Sequence, residues 1–273
     1  MTNFGRIGTF GWIVGSLLAV SAAQARGYGS GMFQEDNDMV ANGQGVSSPS
    51  FWDGISGANP AGLVRNMSIK AQGNIASFDD STTTLRESGG LLAGNGTYGA
   101  GVEYSNFNLQ PYPSGQYVIN FGAAGTLETL GTTLGISGHA VSNGGGSTYD
   151  VGTLIDLFPR FRLGGVIPNF TNGLQTVAAG FTYIADPMVD FVVDAGYQLR
   201  YQQGIVKPGI SLHTNMIHAT ASYGFRFAGT WDSVFVTTKF TAAVGLRLTE
   251  RFLVEYEYRE LPEHRLGLTI RFN

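Results

Sequence analysis

From about residue 68 to the end of the chain, apolar and polar residues trade places every second position, block after block. The last ten residues show it plainly. Leu266, Leu268, Ile270 and Phe272 fall on one side of an extended chain; Arg265, Gly267, Thr269 and Arg271 fall on the other. Side chains alternate across a strand with period two. No stretch after Asn66 carries the competing helical period. A chain patterned in this way folds into two-faced strands, and the remaining question is which solvent the apolar face meets.

The pattern divides into fourteen candidate strands, near residues 68–78, 82–93, 97–104, 116–126, 132–142, 149–157, 161–167, 177–183, 190–201, 204–212, 217–227, 236–248, 252–259 and 264–273. Turn chemistry separates them: Asn95-Gly96 supplies positive-φ residues for a tight hairpin, and Phe158-Pro159 and Asp186-Pro187 mark two more. A length of about ten residues suits a tilted strand crossing hydrocarbon. Two weak strands merging into loops would leave twelve. An even number returns the C-terminus to the side on which the first strand began, and residues 264–273 are expected to close the array against 68–78.

Composition chooses the solvent. Only 13% of residues are charged, against a usual share of about 25%, and 40 of 273 are glycine, about twice the usual ~7%. Low charge without long apolar blocks means that the apolar residues are spread along alternating strands. A closed barrel of such strands is one of the two structures that a bilayer permits. Charges keep to one face of the strong strands, and Tyr or Phe recurs near strand ends, as an interfacial belt requires. A soluble β-sandwich would also alternate; export decides against it. Arg6, the apolar run at 9–22 and Ala23-Gln24-Ala25 have the order of a signal peptide. The run is shorter than the ~20 residues of a spanning helix. The expected division is a signal peptide at 1–25, an N-terminal plug at 26–66 and an antiparallel transmembrane β-barrel at 67–273, in the outer membrane of a Gram-negative cell.

With Arg6 removed, 15 basic residues face 20 acidic ones, a net charge of −5, and no basic cluster stands out. Nucleic acid is therefore a poor partner. Membrane lipids and a hydrophobic small molecule are the expected partners, with a partner protein or a second copy left open. Cysteine is absent and no metal or cofactor motif is visible. The polar face carries Lys70, Glu103, Asp150, Arg160, Arg162, Asp194, Arg200, Arg226, Lys239, Arg247, Glu255, Glu257 and Arg265, a lumen of mixed sign. Its charges either neutralise one another or line a passage. Glu257 and Arg265 are expected to be cross-strand neighbours.

Residues 26–66 show no period, yet Met32, Phe33, Phe51 and Trp52 need burial, which favours a segment folded inside the barrel. Gly31-Met-Phe-Gln34, Ala41-Asn-Gly-Gln-Gly45 and residues 53–63 with Asn59-Pro60-Ala61 resemble the N-terminal hatch of the FadL-like long-chain fatty-acid channels. Tyr149-Asp-Val-Gly152, Leu163-Gly-Gly-Val-Ile167 and His264-Arg-Leu-Gly-Leu268 resemble barrel segments of that superfamily and its PorV-like relatives. The resemblance implies a 14-stranded barrel with a plug, and passive uptake of small hydrophobic compounds such as fatty acids with lateral exit into the membrane. It implies a gating role for Asn59, Pro60 and Ala61; Phe33, Phe51 and Trp52 are candidate substrate contacts. This chain departs from the family in its short connections and in Asn273 following Phe272.

Two alternatives remain, a structural barrel that anchors a partner protein and a general porin. An enzyme is not expected. Ser137 precedes His139 and Ser211 precedes His213 by two residues, on one strand face each. Such a pair needs an orienting group and an oxyanion donor, and no G-x-S-x-G occurs.

Overall fold

The computed structural model describes residues 46–47, 59–65, 69–78, 85–107, 116–142, 146–172, 176–199, 202–228, 240–259 and 263–272. The candidates at 1–25, and Phe33, Phe51, Trp52, Arg200 and Lys239, lie outside them. A short 3-10 helix, η1 (Pro60–Arg65), precedes the strands β1 (Ile69–Phe78), β2 (Leu85–Gly94), β3 (Tyr98–Phe107), β4 (Gln116–Leu127), β5 (Thr132–Val141), β6 (Gly146–Phe158) and β7 (Phe161–Ile167). There follow β8 (Thr176–Asp186), β9 (Val189–Gln198), β10 (Gln203–His213), β11 (Ile217–Tyr223), β12 (Phe225–Ala228), β13 (Phe240–Arg247), β14 (Phe252–Arg259) and β15 (Glu263–Phe272). Two further 3-10 turns are η2 (Glu128–Leu130), between β4 and β5, and η3 (Phe170–Asn172), between β7 and β8.

Every strand pairs antiparallel with its neighbours, and the pairings return to their start: β10 to β11, β11 to β13, and so through β15 to β1. The sheet is therefore closed, which removes the unpaired edges that hydrocarbon does not tolerate. The register Ile69↔Phe272 to Phe78↔Glu263 seals it, as the alternation of the last ten residues predicts. β11 and β12 both pair with β10 and are halves of one stave, so the described residues form fourteen staves. The alternation reads this stave as continuous, but it breaks at Gly224. The side chains of Ile205 and Lys207 come within 3.0–3.3 Å of where a Cβ there would stand.

Burial runs opposite to that of a soluble protein. On β3, Tyr98, Val102 and Tyr104 are 40–46% exposed while Glu103 between them is 3% exposed. On β15, Leu266, Leu268 and Phe272 are exposed while Thr269 is buried. Apolar side chains face outward all round and polar ones face in, as in a barrel whose outer solvent is lipid. Rings gather in two zones on the outside. Phe158, Phe161, Phe181 and Tyr183 cluster near the β6–β7 turn, with centroids 4.9–6.3 Å apart along the chain of contacts. Tyr104 with Tyr117, and Tyr256 and Tyr258 with His264, lie towards the other end. Tyr149 is an exception on the lipid side: it is only 5% exposed, because Phe121 and Phe170 pack against it.

The connections at the two ends differ. Those at 95–97, 128–131, 159–160, 187–188, 214–216 and 248–251 have two to four residues, and this turn end also holds the start of β1 and the end of β15. At the loop end the connections run from three residues at 260–262 to eleven at 229–239.

Candidate functional site

Four of the glycines whose abundance marks the sequence sit on the inner wall where a Cβ would collide with the N-terminal segment. Gly99, Ala124, Gly135 and Gly152 are direct cross-strand neighbours on β3, β4, β5 and β6. A Cβ at Gly99 would run into the backbone of Leu63, one at Gly135 into Pro60 and Ala61, and one at Gly152 into the Asn59 side chain. A Cβ at Gly164 would meet the backbone of Val46. The row is a bed of glycine and alanine, and η1 lies in it. Leu63 and Val64 pack with Leu92 and Ala124 on one side; Val46 packs with Val166 and Ala178 on the other.

Asn59 fastens this segment. It is 1% exposed. Its Nδ2 donates to the Val46 carbonyl at 2.8 Å and to the Thr153 carbonyl of β6 at 2.9 Å. Its Oδ1 accepts from the Ala61 N–H at 3.0 Å, capping η1, whose first residue is Pro60. Asn at the cap and Pro at the first position are strong helix starters. The far end of η1 is tied by Gly96 N–H to the Val64 carbonyl at 3.0 Å. Arg65 then reaches both oxygens of Asp156 at 3.2 Å, and Arg162 Nε donates to Asp156 at 2.8 Å. Burial pulls the Arg65 guanidinium below its ordinary value, as does the like charge of Arg162, while Asp156 pushes back. Asp156 is half exposed, so each of these pairs contributes at most about 1 kcal/mol.

Asp194, expected as a lumen charge, holds the second described piece of the N-terminal segment. Buried on β9, it accepts from Ser47 Oγ at 2.8 Å and from the Val46 and Ser47 N–H groups at 3.2 and 3.3 Å. Thr182 Oγ1 donates to Ser47 Oγ at 2.9 Å. Glu103, Glu255 and Glu257 are buried on the inner wall as their alternation predicts. Lys207, which the sequence reading missed, is buried opposite Asp194. Arg247 ends β13 at the turn end and is exposed, so it belongs to the rim and not the interior. Lys70, Arg226 and Arg265 are placed on β1, β12 and β15, with Arg265 directly opposite Glu257.

The serine–histidine spacings do not make nucleophile pairs. His139 Nδ1 meets Asn120 Oδ1 and its Nε2 meets Asp150 Oδ2, each at 2.8 Å, leaving neither nitrogen for Ser137 Oγ. His213 is likewise taken up by Asp190 at 3.0 Å and by His218 at 2.8 Å. Among the described residues, no group of three or more metal-ligating side chains converges.

The residues missed were the bed glycines, Lys207 and the Ser47 contact. Glycines recurring at inward positions of successive strands were the available signal for the first. Nothing local signals a contact between residues 147 positions apart.

No protein-family model and no curated protein matches the sequence. Solved structures do. The Acinetobacter baumannii outer-membrane protein Omp33 shares 12% identity over 75% of this chain and 98% of its own, with a TM-score of 0.52. A Pseudomonas aeruginosa FadL homologue shares 10% identity over 86% and 96% of the two chains, with a TM-score of 0.52. A deletion mutant of TodX, a monoaromatic hydrocarbon channel, shares 10% over 83% and 96%, with a TM-score of 0.52. At such identities the likeness speaks for the fold, and it agrees with the closed sheet, the outward apolar belt and the inward polar wall. The chain shares the β-barrel fold of these outer-membrane proteins.

Proposed function

We propose that this barrel is a passive channel for small hydrophobic compounds, such as fatty acids, and that residues 26–66 are its plug. The observation that carries the reading is the glycine bed. A wall of glycine and alanine along the course of η1 is built to receive a segment, and Asn59 and Asp194 hold that segment through hydrogen bonds beside two small apolar clusters. Such a fastening releases more readily than a packed core. Short connections, the start of β1 and the end of β15 lie on one side, the side that faces the periplasm in bacterial barrels. The plug then closes the periplasmic half, and a hydrophobic solute entering from the loop end leaves sideways into lipid. The fold shared with a hydrocarbon channel supports this class of solute. Uptake of a labelled fatty acid by cells with and without the protein tests the proposal. Equal uptake overturns it.

The short connections favour a second reading, a barrel that anchors a partner protein. Recovery of a stoichiometric partner, with permeability unchanged on deletion, selects that alternative.

A further inference from the structure

The β10–β11 hairpin brings two histidines together on the inner wall at the turn end. Leu212 and Ile217 are both 44% exposed on the lipid face, so their neighbours His213 and His218 point inward. The two histidines stand directly opposite each other across the strands. Thr214 holds the turn between them. Its N–H donates to the Ile217 carbonyl at 2.7 Å, and its Oγ1 accepts from the Ile217 N–H at 2.8 Å. On the other side the His213 N–H donates to the Met188 carbonyl at 2.8 Å. The backbone beneath both rings is therefore fixed. Their Nδ1 atoms lie 2.8 Å apart with ring centres at 4.5 Å, and His213 Nε2 lies 3.0 Å from Asp190 Oδ2. A carboxylate only accepts, so His213 donates its Nε2–H to Asp190 and turns the lone pair of Nδ1 towards His218. His218 then donates from its own Nδ1, and its Nε2 is buried without a hydrogen-bond partner. One shared proton holds the two rings together.

We propose that His213 Nδ1 and His218 Nδ1 are two ligands of a copper(II) site on the lumen wall, with Asp190 as its orienting carboxylate. A carboxylate on the far nitrogen of a histidine is the usual partner that sets a metal-binding tautomer. Here it leaves the lone pair on the nitrogen that faces the second ring. Adjacent nitrogens of a square-planar set, about 2.0 Å from the ion, stand about 2.8 Å apart. That is the separation of these two atoms. A tetrahedral zinc ion would need them about 3.3 Å apart, and the rings would have to part by about 0.5 Å. The ring centres are also closer than a collinear pair across a 2.8 Å contact would place them. The rings are thus turned off the N–N line, as they are at neighbouring corners of a square. When the ion enters, the His218 proton moves from Nδ1 to Nε2, a nitrogen with no partner in either tautomer. Water fills the remaining corners: the His213 side chain is 35% exposed, and Gly245, which has no side chain, is the neighbour of His218 on β13. Two protein nitrogens suffice for this site, and no third ligating side chain converges on it among the described residues. The site is independent of what the channel carries.

The protein folded in detergent micelles is titrated with copper(II) chloride. Calorimetry reads the affinity, and the hyperfine lines of electron paramagnetic resonance count the nitrogens on the ion. The wild-type barrel is expected to take one equivalent through two imidazole nitrogens, and to hold zinc about tenfold more weakly or worse. His213→Gln and His218→Gln each lower copper affinity by about tenfold or more and leave one nitrogen. Asp190→Asn lowers it by about 10–100-fold with both nitrogens retained, a split that distinguishes a positioning residue from a ligand. His264→Gln, on the outer face beside Tyr256, leaves affinity and spectrum unchanged and exposes adventitious binding. Heat-modifiable gel migration verifies the folded barrel in each variant, and either histidine variant decides if the other fails to fold. Unchanged affinity in folded His213→Gln, His218→Gln or Asp190→Asn overturns the proposal. So does a two-nitrogen spectrum in either histidine variant, loss of the signal in His264→Gln, or zinc bound as tightly as copper. Solute uptake has no part in these readouts, so the site stands or falls apart from the channel reading.

Discussion

Asn59 makes one side chain do three jobs, and its replacement separates them. Asn59→Ala removes two donated bonds and the cap of η1. At about 1 kcal/mol each, docking of residues 59–65 weakens by about 2–3 kcal/mol. Hydrogen exchange at the Ala61 and Gly62 amides accelerates accordingly. Asn59→Asp keeps the cap acceptor but turns an oxygen towards the Val46 and Thr153 carbonyls, so its exchange is faster still. Wild-type exchange in Asn59→Asp contradicts this role. On the outer face, Leu268→Arg puts a charge near mid-height of β15, and a cationic residue at the bilayer midplane costs about 2–4 kcal/mol. Urea titration of the protein folded into vesicles measures the loss; a midpoint unchanged from wild type argues that Leu268 does not face lipid. The roles of these residues were unequally visible. Leu268 announces its face through its neighbours. Asn59-Pro60 announces a helix start, but not that the Asn side chain also grips β6.

At the scale of elements, alternation located the staves because period two is enforced by the backbone and by two different solvents. It erred where a third influence enters. Tyr149 has the outward phase and is nonetheless covered, because η3 folds Phe170 over it. The stave of β11 and β12 breaks at Gly224, where neighbouring side chains crowd the backbone. The glycine bed escaped notice because glycine carries no polarity to set a phase; its meaning lies in what would collide, and collision belongs to tertiary structure. Gly135→Val tests the bed. The new side chain meets the backbone of Pro60 and Ala61, and overpacking of this kind costs about 1–3 kcal/mol or more. The outward face of β5 is unchanged, so the barrel still folds and η1 lifts off. Planar-bilayer recordings of Gly135→Val are expected to show larger and more frequent ion currents than wild type. Equal currents contradict a plug seated there.

At the scale of the whole molecule, closure follows from the register of β1 against β15, and the final ten residues contain most of what is needed to foresee it. Their apolar face meets lipid, and their polar face joins a wall where carboxylates are buried and engaged. Asp194 shows what that engagement does: it fastens the N-terminal segment. The fold was therefore largely legible in the sequence, whereas the site depends on contacts between residues distant along the chain. What the barrel admits is the central claim. It is tested most directly by tracer uptake, measured side by side for a labelled fatty acid and a labelled hydrophilic sugar in cells with and without the protein. A stoppered channel for hydrophobic solutes raises entry of the acid and leaves the sugar unchanged; equal acid uptake in the two strains, or entry of the sugar through the wild-type barrel, contradicts it.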